Sequence, residues 1–221
     1  MTRTQAQQTT NSASKLDRAM LERALNLALN LARQSLQRGS SPIGCVIVDG
    51  HGKIISEGRN KSGEPWPKTP QRVGNSSFAH AEMDAFYRVK RFETPDECTV
   101  YSSLEPCLMC GGAIGMVGVG RVVWACDDAW GGAGRLIRWN EHPAYKHTSL
   151  LACPFPDLER EAAQLFAPEA KKVYPSEGWA AWRERYPEIC AAAESAPEET
   201  AALRQRQRRI PLATRHHAKL N

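Results

Sequence analysis

The chain has 221 residues, enough for one α/β domain with extensions but only marginally enough for two independent cores. Hydrophobic residues make up 42% of it and charged residues 24%, which is typical of globular proteins and excludes a fibrous or wholly disordered class. There is no run of about 18 apolar residues, and residues 1–14 lack the apolar segment of a signal peptide. We therefore expect a globular, cytoplasmic protein that does not enter a membrane.

The positive charge and the cysteines are distributed in informative ways. The net charge is +5, but the segment from Leu203 to the end holds six basic residues and no acidic ones, so the rest is close to neutral. This basic tail could contact nucleic-acid phosphates, although a solvated terminus is slightly favoured because no aromatic residues are interleaved for stacking. The seven cysteines are odd in number and scattered, which favours reduced thiols or metal ligands over disulfides.

The first third of the chain predicts a helix followed by a hairpin. Residues 1–13 are polar and predict a disordered leader. Ser14 heads a capping-box pattern, and apolar residues at three- and four-residue spacing predict an amphipathic helix from there to about Gly39. Strands are predicted over residues 43–48 and 53–57, around a glycine-containing turn.

Helices and strands then alternate, which predicts a layered α/β fold. A loop over residues 60–77 comes first and is rich in Gly, Pro, Ser and Lys; loops of this length are often functional. The chain from 14 to 166 is predicted to be one domain, and 167–221 a C-terminal helical extension that ends in the basic tail. The predicted helices cover 79–90, 107–116 and 157–166, and the predicted strands cover 99–102, 122–126 and 149–153. The spacing of Trp179, Trp182, Tyr186 and Ile189 predicts a further helix.

Two short motifs carry residues of metal chemistry, His80-Ala81-Glu82 and Pro106-Cys107-Leu108-Met109-Cys110, each at a predicted helix start. Cysteines two residues apart at a helix N-terminus can chelate one Zn²⁺, because the helix dipole favours the thiolate. With His80 they would form a three-ligand site that leaves a fourth position for water, whose pKa zinc lowers to roughly 7. Glu82 would then lie beside that water as a proton shuttle without binding the metal.

Other interpretations of these motifs remain open. Cys45, Cys98 or Cys126 could supply a fourth ligand and close a structural zinc site, which would suit a nucleic-acid-binding module that relies on the basic tail. A redox role for the C-x-x-C motif lacks thioredoxin-like surroundings. The occurrence of both motifs at helix starts, about 25 residues apart with a strand between them, favours the catalytic interpretation.

The pair H-x-E and P-C-x-x-C resembles the signature of the zinc-dependent base and nucleoside deaminases, in which the glutamate is the general acid and base. Within these deaminases the chain most resembles the bacterial tRNA adenosine deaminases, over about residues 16–166. The matching stretches are P-I-G-C-V-I-V at 42–48, E-G-R-N at 57–60, H-A-E-M at 80–83, S-L-E-P-C-L-M-C-G-G-A at 103–113, G-R-V-V-W at 120–124, G-A-G at 132–134, and His142-Pro143 followed by His147.

The resemblance implies a three-layer, cytidine-deaminase-like fold, with a five-stranded mixed sheet between helices, a Zn²⁺ cofactor and a homodimer. It also implies that Asn60 and the backbone amide of Ala81 contact the substrate, with Pro106 beside them. Asn60 could instead be a plain turn residue. Trp66 could stack on the substrate from the 60–77 loop, or could simply pack that loop down.

The expected reaction is hydrolytic removal of an exocyclic amino group from a nucleobase, with Glu82 transferring the protons and ammonia leaving. Adenosine in tRNA is the substrate favoured by resemblance. Free guanine, adenine or cytosine, or their nucleosides, are the alternative, because the 60–77 loop looks longer than in the tRNA enzymes and a longer lid can enclose a small molecule. Another hydrolase of amidine or aminopyrimidine groups would share the same fold.

Overall fold

The computed structural model describes residues 3–65, 73–134, 137 and 148–196, with the backbone alone for 3–17. Trp66, His142, His147 and the basic tail lie outside these residues. Within the described part of the chain, no helix is both long enough and apolar enough to cross a membrane.

Helices and strands alternate along most of the described chain. The helices are α1 (Arg3–Gln37), α2 (Ala81–Arg88), α3 (Leu108–Val117), α4 (Pro156–Val173), α5 (Ser176–Arg185) and α6 (Pro187–Ser195), with a 3-10 turn at Pro95–Glu97. The strands are β1 (Gly44–Val48), β2 (Ile54–Arg59), β3 (Thr99–Ser102), β4 (Arg121–Trp124) and β5 (Ser149–Ala152).

The five strands form one mixed sheet in the order β2-β1-β3-β4-β5. β1 is antiparallel to both β2 and β3, while β4 is parallel to β3 and β5. A parallel pair needs a crossover connection, and α3 supplies it between β3 and β4. The predicted five-stranded mixed sheet is confirmed.

Helices cover both faces of this sheet. Along β1 the side chains alternate, so Val46 and Val48 pack in one cluster and Cys45 and Ile47 in another. The first cluster is completed by residues of α1, α4, α5 and α6, and the second by residues of α2 and α3. The predicted three-layer fold with additional C-terminal helices is therefore confirmed.

Two helix boundaries differ from the sequence-based expectation. α1 runs through Ser14 from Arg3, so a helix start at Ser14 was wrong; no glycine or proline interrupts that segment, and its Ser, Thr and Asn residues disfavour a helix only weakly. α4 continues past residue 166 to Val173 and accommodates Pro168. The division of the chain at residue 166 stays a prediction.

The single helix predicted around Trp179 to Ile189 is in fact two helices, α5 and α6. They meet at Tyr186, whose φ of −133° and ψ of 62° are not helical. Pro187 follows at the first position of α6, and a proline disfavours helical geometry in the residue before it. This break turns α6 back, and both helices pack on α4.

A close approach between β2 and α2 places the first motif. A Cβ atom on Gly58 would collide with the carbonyl oxygen of Ala81 and with the backbone nitrogen of Ala85. Glycine at this position lets the N-terminal turn of α2 lie directly on the sheet. The side chains at that helix start are therefore held against the ends of the strands.

Candidate metal and catalytic site

Both motifs lie at helix N-termini, as the sequence predicted. His80 is the N-cap of α2 and Cys107 the N-cap of α3, each with extended backbone angles. Cys110 lies in the first turn of α3 and is fully buried. The positive end of the α3 dipole therefore faces both sulfur atoms, which favours a thiolate there.

The three predicted ligands converge on one point. His80 Nδ1 lies 3.5 Å from Cys107 Sγ and 3.5 Å from Cys110 Sγ. Bonds of about 2.3 Å to sulfur and about 2.0 Å to nitrogen, at a tetrahedral angle, would place these atoms about 3.5 Å apart. The donor set and its spacing thus fit a zinc ion, with Nδ1 as the imidazole ligand.

The pKa shifts of these three side chains also favour the binding of a cation. A hydrogen bond from Cys110 is the largest cause that lowers the pKa of Cys107 to about 4, against the opposing effect of burial. The same bond, together with burial, raises the pKa of Cys110. A hydrogen bond with Cys107 raises the pKa of His80, although burial opposes it. Cys107 is therefore readily deprotonated to the thiolate, the form in which cysteine binds metals.

Glu82 lies beside this group and is only 3% exposed. Its Oε2 accepts a hydrogen bond from Cys110 Sγ at 3.3 Å, and its Oε1 accepts one from Ser102 Oγ at 3.1 Å. Burial raises the pKa of Glu82 above the ordinary glutamate range, which brings it closer to the value of an effective acid and base at neutral pH. Both oxygens are thus fixed next to the metal ligands.

Ser102 is a site residue that sequence reasoning missed. It is fully buried at the end of β3, and its hydroxyl orients the Glu82 carboxylate. The sequence offered one signal, because Ser102 precedes the S-L-E-P-C stretch by one residue. A serine at a strand end has many possible partners, so the bond itself could not be read from the sequence.

The described residues do not provide a fourth protein ligand. The metal-binding group consists of His80, Cys107 and Cys110, and none of Cys45, Cys98 and Cys126 belongs to it, although all three are described. This arrangement disfavours a closed structural zinc site.

A second group of possible ligands, formed by Asp127, Cys153 and Glu159, already has a cationic partner. Arg185 Nη2 lies 3.1 Å from Asp127 Oδ2 and 2.6 Å from Glu159 Oε1. The Arg185 guanidinium thus forms an ion pair with both carboxylates. We interpret the group as an ion-pair network.

Asn60 follows β2 and is 2% exposed. Its side-chain oxygen accepts hydrogen bonds from the backbone N–H and the hydroxyl of Ser62, so the residue does form a turn, as the simpler interpretation proposed. Its backbone oxygen accepts a bond from Ser35 Oγ at 2.9 Å, which fixes the strand end to α1. Asn60 is therefore rigidly placed, and its substrate contact stays a prediction.

A buried ion pair anchors the loop that begins after Asn60. Lys61 Nζ lies 2.6 Å from Asp84 Oδ1 on α2, and both side chains are almost completely buried. The Lys61 backbone N–H donates to the oxygen of Ala79, the residue before His80. Burial lowers the pKa of Lys61, while Asp84 opposes that shift. The loop base is thus tied to the helix start that carries the first metal ligand.

The other predicted substrate contacts lie around the metal group or outside the described residues. Ala81 is the first residue of α2, where a backbone N–H has no acceptor within the helix. Pro106 directly precedes Cys107, and its oxygen accepts a bond from the Ala133 N–H at 2.9 Å. Trp66 lies outside the described residues.

The fold and the site together define a metal-binding α/β protein with a buried carboxylate beside an incomplete ligand set. Residues 18–126 match the family described as the cytidine and deoxycytidylate deaminase zinc-binding region. This region of the chain belongs to that family, as its motifs predicted. The zinc cofactor expected from the sequence is confirmed by the family and by the His/Cys/Cys group.

Individual relatives act on different bases. The chain is 37% identical over 115 residues to a tRNA-specific adenosine deaminase of Streptococcus pyogenes, covering 50% of this chain and 66% of that protein. It is 33% identical over 104 residues to a cytosine deaminase of Candida albicans, covering 46% of this chain and 63% of that protein. The solved guanine deaminase of Bacillus subtilis is 34% identical, with 48% of this chain and 64% of that one covered and a TM-score of 0.42. The chain thus spans just under two thirds of each relative.

Proposed function

We propose that the chain is a zinc-dependent hydrolytic deaminase, which replaces the exocyclic amino group of a nucleobase with oxygen and releases ammonia. The observation that carries this proposal is the position of Glu82. Its buried carboxylate lies 3.3 Å from a metal-ligand sulfur and belongs to no ion pair of the described side chains. A carboxylate in that position can transfer protons at the metal without being consumed as a ligand.

Each residue of the site has a distinct role in the proposed reaction. A zinc ion held by His80, Cys107 and Cys110 would supply a water of lowered pKa. Glu82 accepts a proton on one carboxylate oxygen and returns it to the ring nitrogen or the departing amine of the substrate. Ser102 keeps the other oxygen in place. Asn60 and the backbone N–H of Ala81, which has no acceptor within α2, would hold the base, since both lie next to the metal-ligand segments.

Adenosine in tRNA is the substrate that we favour. The support comes from the tRNA-specific adenosine deaminase of Streptococcus pyogenes, which is 37% identical over half of this chain. The matched segment covers about two thirds of that relative. It therefore supports the deamination reaction more directly than it supports RNA as the substrate. The basic tail after Leu203 would suit an RNA substrate.

A free base or nucleoside is the second candidate substrate. The cytosine deaminase of Candida albicans, at 33% identity over nearly the same segment, favours it. The feature that would enclose a small molecule is the loop predicted from the sequence over residues 60–77, which begins beside the anchored Lys61.

We also propose that the protein acts as a cytoplasmic homodimer. Leu108 and Met116 are 68% and 78% exposed on α3, with Gly112 between them on the same side of the helix. Such an apolar stripe beside the metal site would be covered by a second copy of the chain. Sedimentation velocity tests this directly, with twice the chain mass as the expected result.

The decisive experiment is ammonia release by the zinc-loaded protein from a panel of substrates. The panel contains free bases, nucleosides, nucleotides and an anticodon stem-loop with adenosine. Glu82→Gln keeps the size of the side chain and should keep zinc while losing about a hundredfold or more in rate. Glu93→Gln, an exposed glutamate, is the matched control and should retain the full rate.

The outcomes separate the candidates. Release only from the stem-loop supports tRNA adenosine, whereas release from one small molecule supports the second candidate. Undiminished ammonia release by Glu82→Gln would show that this residue has been assigned the wrong role. No release from any member of the panel, by protein with stoichiometric zinc, would refute the deaminase proposal.

A further inference from the structure

The loop after β4 runs alongside the second metal-ligand motif. This loop, residues 127–134, forms an antiparallel bridge between Gly132 and Cys107. The next residue, Ala133, donates its backbone N–H to the oxygen of Pro106. Two consecutive backbone contacts therefore fix the segment that carries the ligand Cys107 to the 127–134 loop.

Two carboxylates shape this loop, the half-buried Glu105 and the buried Asp128. Glu105 accepts hydrogen bonds from the backbone N–H groups of Asp128, at 3.2 Å, and Gly134, at 3.0 Å. Asp128 in turn accepts bonds from the backbone N–H groups of Trp130 and Gly131, at 3.2 and 3.0 Å. The loop is thus held from the metal side by Glu105 and from within by Asp128.

The C-terminal helices supply the remaining partners of Asp128. Tyr174, just after α4, donates its hydroxyl to Asp128 Oδ2 at 2.6 Å. Trp182 on α5 donates its indole N–H to Oδ1 at 3.0 Å and is completely buried. Asp128 itself is 6% exposed. Burial and the Asp128 charge raise the pKa of Tyr174, so its hydroxyl remains a donor across the neutral range.

These contacts form a continuous path from the C-terminal helices to a metal ligand. Tyr174 and Trp182 lie outside residues 18–126, the region that matches the deaminase family. They bond to Asp128, which shapes the 127–134 loop, and that loop holds Pro106 and Cys107. Groups that orient metal ligands without touching the metal commonly change metal affinity 10- to 100-fold when they are removed.

We propose that Asp128 is a positioning residue, through which the C-terminal helices hold the 127–134 loop against Pro106 and Cys107 and so retain the metal. The proposal rests on the use of His80, Cys107 and Cys110 as a zinc site, which is part of the proposed function. It does not depend on which base is the substrate. It assigns α4 and α5 a role in the site itself.

The test is the rate of zinc release from the full-length, zinc-loaded protein into a chromogenic chelator. Asp128→Ala should release zinc about tenfold faster than the unchanged protein, since it removes the carboxylate that accepts bonds from the loop, from Tyr174 and from Trp182. Tyr174→Phe removes one hydroxyl and should give a smaller increase. Asp128→Asn keeps an oxygen for Trp182 and for the loop, so it should restore most of the retention.

The matched control is Glu194→Ala. It removes the acceptor of a 2.9 Å bond from Trp179 Nε1 in the same helical layer, but no hydrogen bond or ion pair of the described side chains joins Glu194 to the 127–134 loop. This variant should release zinc at the unchanged rate. Hydrogen exchange of the 127–134 peptide provides a second measurement, with faster exchange expected in Asp128→Ala and Tyr174→Phe but not in Glu194→Ala.

The proposal would be overturned by unchanged zinc release and unchanged loop exchange in Tyr174→Phe and in folded Asp128→Ala. If Asp128→Ala does not fold, Tyr174→Phe decides the matter alone, because a phenylalanine fits the same space. A protein that retains zinc as predicted but releases no ammonia from any base would refute the proposed function and leave the positioning role intact.

Discussion

The two faces of the sheet are built from different kinds of side chain. The face under α1 and α4–α6 buries several leucines together with Phe166, Trp182 and Tyr186. The face under α2 and α3 buries mainly valines, isoleucines, alanines and cysteines, with Trp124 at its edge. The larger side chains, and with them most of the buried apolar surface, lie on the face away from the metal group.

The small side chains on one face position the metal group, whereas the large side chains on the other face provide most of the stability. Small residues such as Gly58, Ala81 and Ala85 let the N-terminus of α2 approach the sheet, which brings His80 and Glu82 to the strand ends. A thin layer of small side chains buries little surface, so the opposite face must supply most of the stabilisation.

A matched pair of cavity-forming substitutions tests this comparison. Leu25 on α1 and Ile114 on α3 are both completely buried. Leu25→Ala and Ile114→Ala should each lower the free energy of unfolding by about 2–5 kcal/mol, measured by urea denaturation. Only Ile114→Ala should also speed zinc release, because Ile114 lies one turn after Cys110. Faster zinc release from Leu25→Ala would contradict the separation of the two faces.

A smaller effect is expected from the hydroxyl that orients the candidate acid and base. Ser102→Ala removes the buried hydrogen bond to Glu82 Oε1 and should reduce kcat about tenfold, with zinc content unchanged. Ser102→Thr should restore most of the rate, since it returns the hydroxyl. Steady-state kinetics on the substrate identified by the ammonia assay would measure both.

The neighbouring serine provides the control for that change. Ser103 Oγ accepts a bond from the Gly44 backbone N–H at 3.0 Å and does not touch Glu82 in any described contact. Ser103→Ala should therefore cost about 1 kcal/mol of stability and leave kcat unchanged. Equal losses of kcat in Ser102→Ala and Ser103→Ala would mean that the Glu82 contact has no role in turnover.

The metal site could be predicted from the sequence because its signal is local. His80 and Glu82 lie two residues apart, and Cys107 and Cys110 three positions apart, each pair at one helix start, so the short separation along the chain keeps each pair close in space. The strands were also predictable, because β1 and β4 are apolar and β-branched. The five-stranded mixed sheet was expected from the family resemblance, whereas the order of its strands was not predicted and could not have come from the pattern of apolar residues.

The supports of the site could not be predicted, because they are single bonds between distant residues. Tyr174 and Trp182 lie 46 and 54 positions from Asp128, their common partner. No periodicity records such a pair, and an aspartate in a glycine-rich loop is most simply a turn residue. The start of α1 was missed because the polar residues before Ser14 disfavour a helix only weakly. The break at Tyr186 was missed because Pro187 outweighed the helical spacing of the apolar residues.

The smallest predicted effect concerns Asp127, which joins the two faces. Its carboxylate accepts hydrogen bonds from Trp124 Nε1 at 2.8 Å and from Arg185 Nη2 at 3.1 Å. Burial raises the pKa of Asp127. These two hydrogen bonds, a third from Cys153 and the positive charge of Arg185 together outweigh burial, so the pKa in the folded protein lies below its ordinary value of 3.8. The charged form is therefore favoured by folding, and its contribution is fully present above that value.

As the pH falls through the folded pKa, this contribution should disappear, since the folded and unfolded forms then bind the proton equally. Asp127→Asn should lower the free energy of unfolding by about 1 kcal/mol at pH 7, with the difference shrinking below about pH 4. Urea denaturation of both proteins from pH 7 to pH 3 measures the difference and cancels effects common to both, including metal loss in acid. A difference that persists undiminished at pH 3 would show that Asp127 joins the faces through its shape and neutral hydrogen bonds, and that the Arg185 ion pair adds nothing to stability.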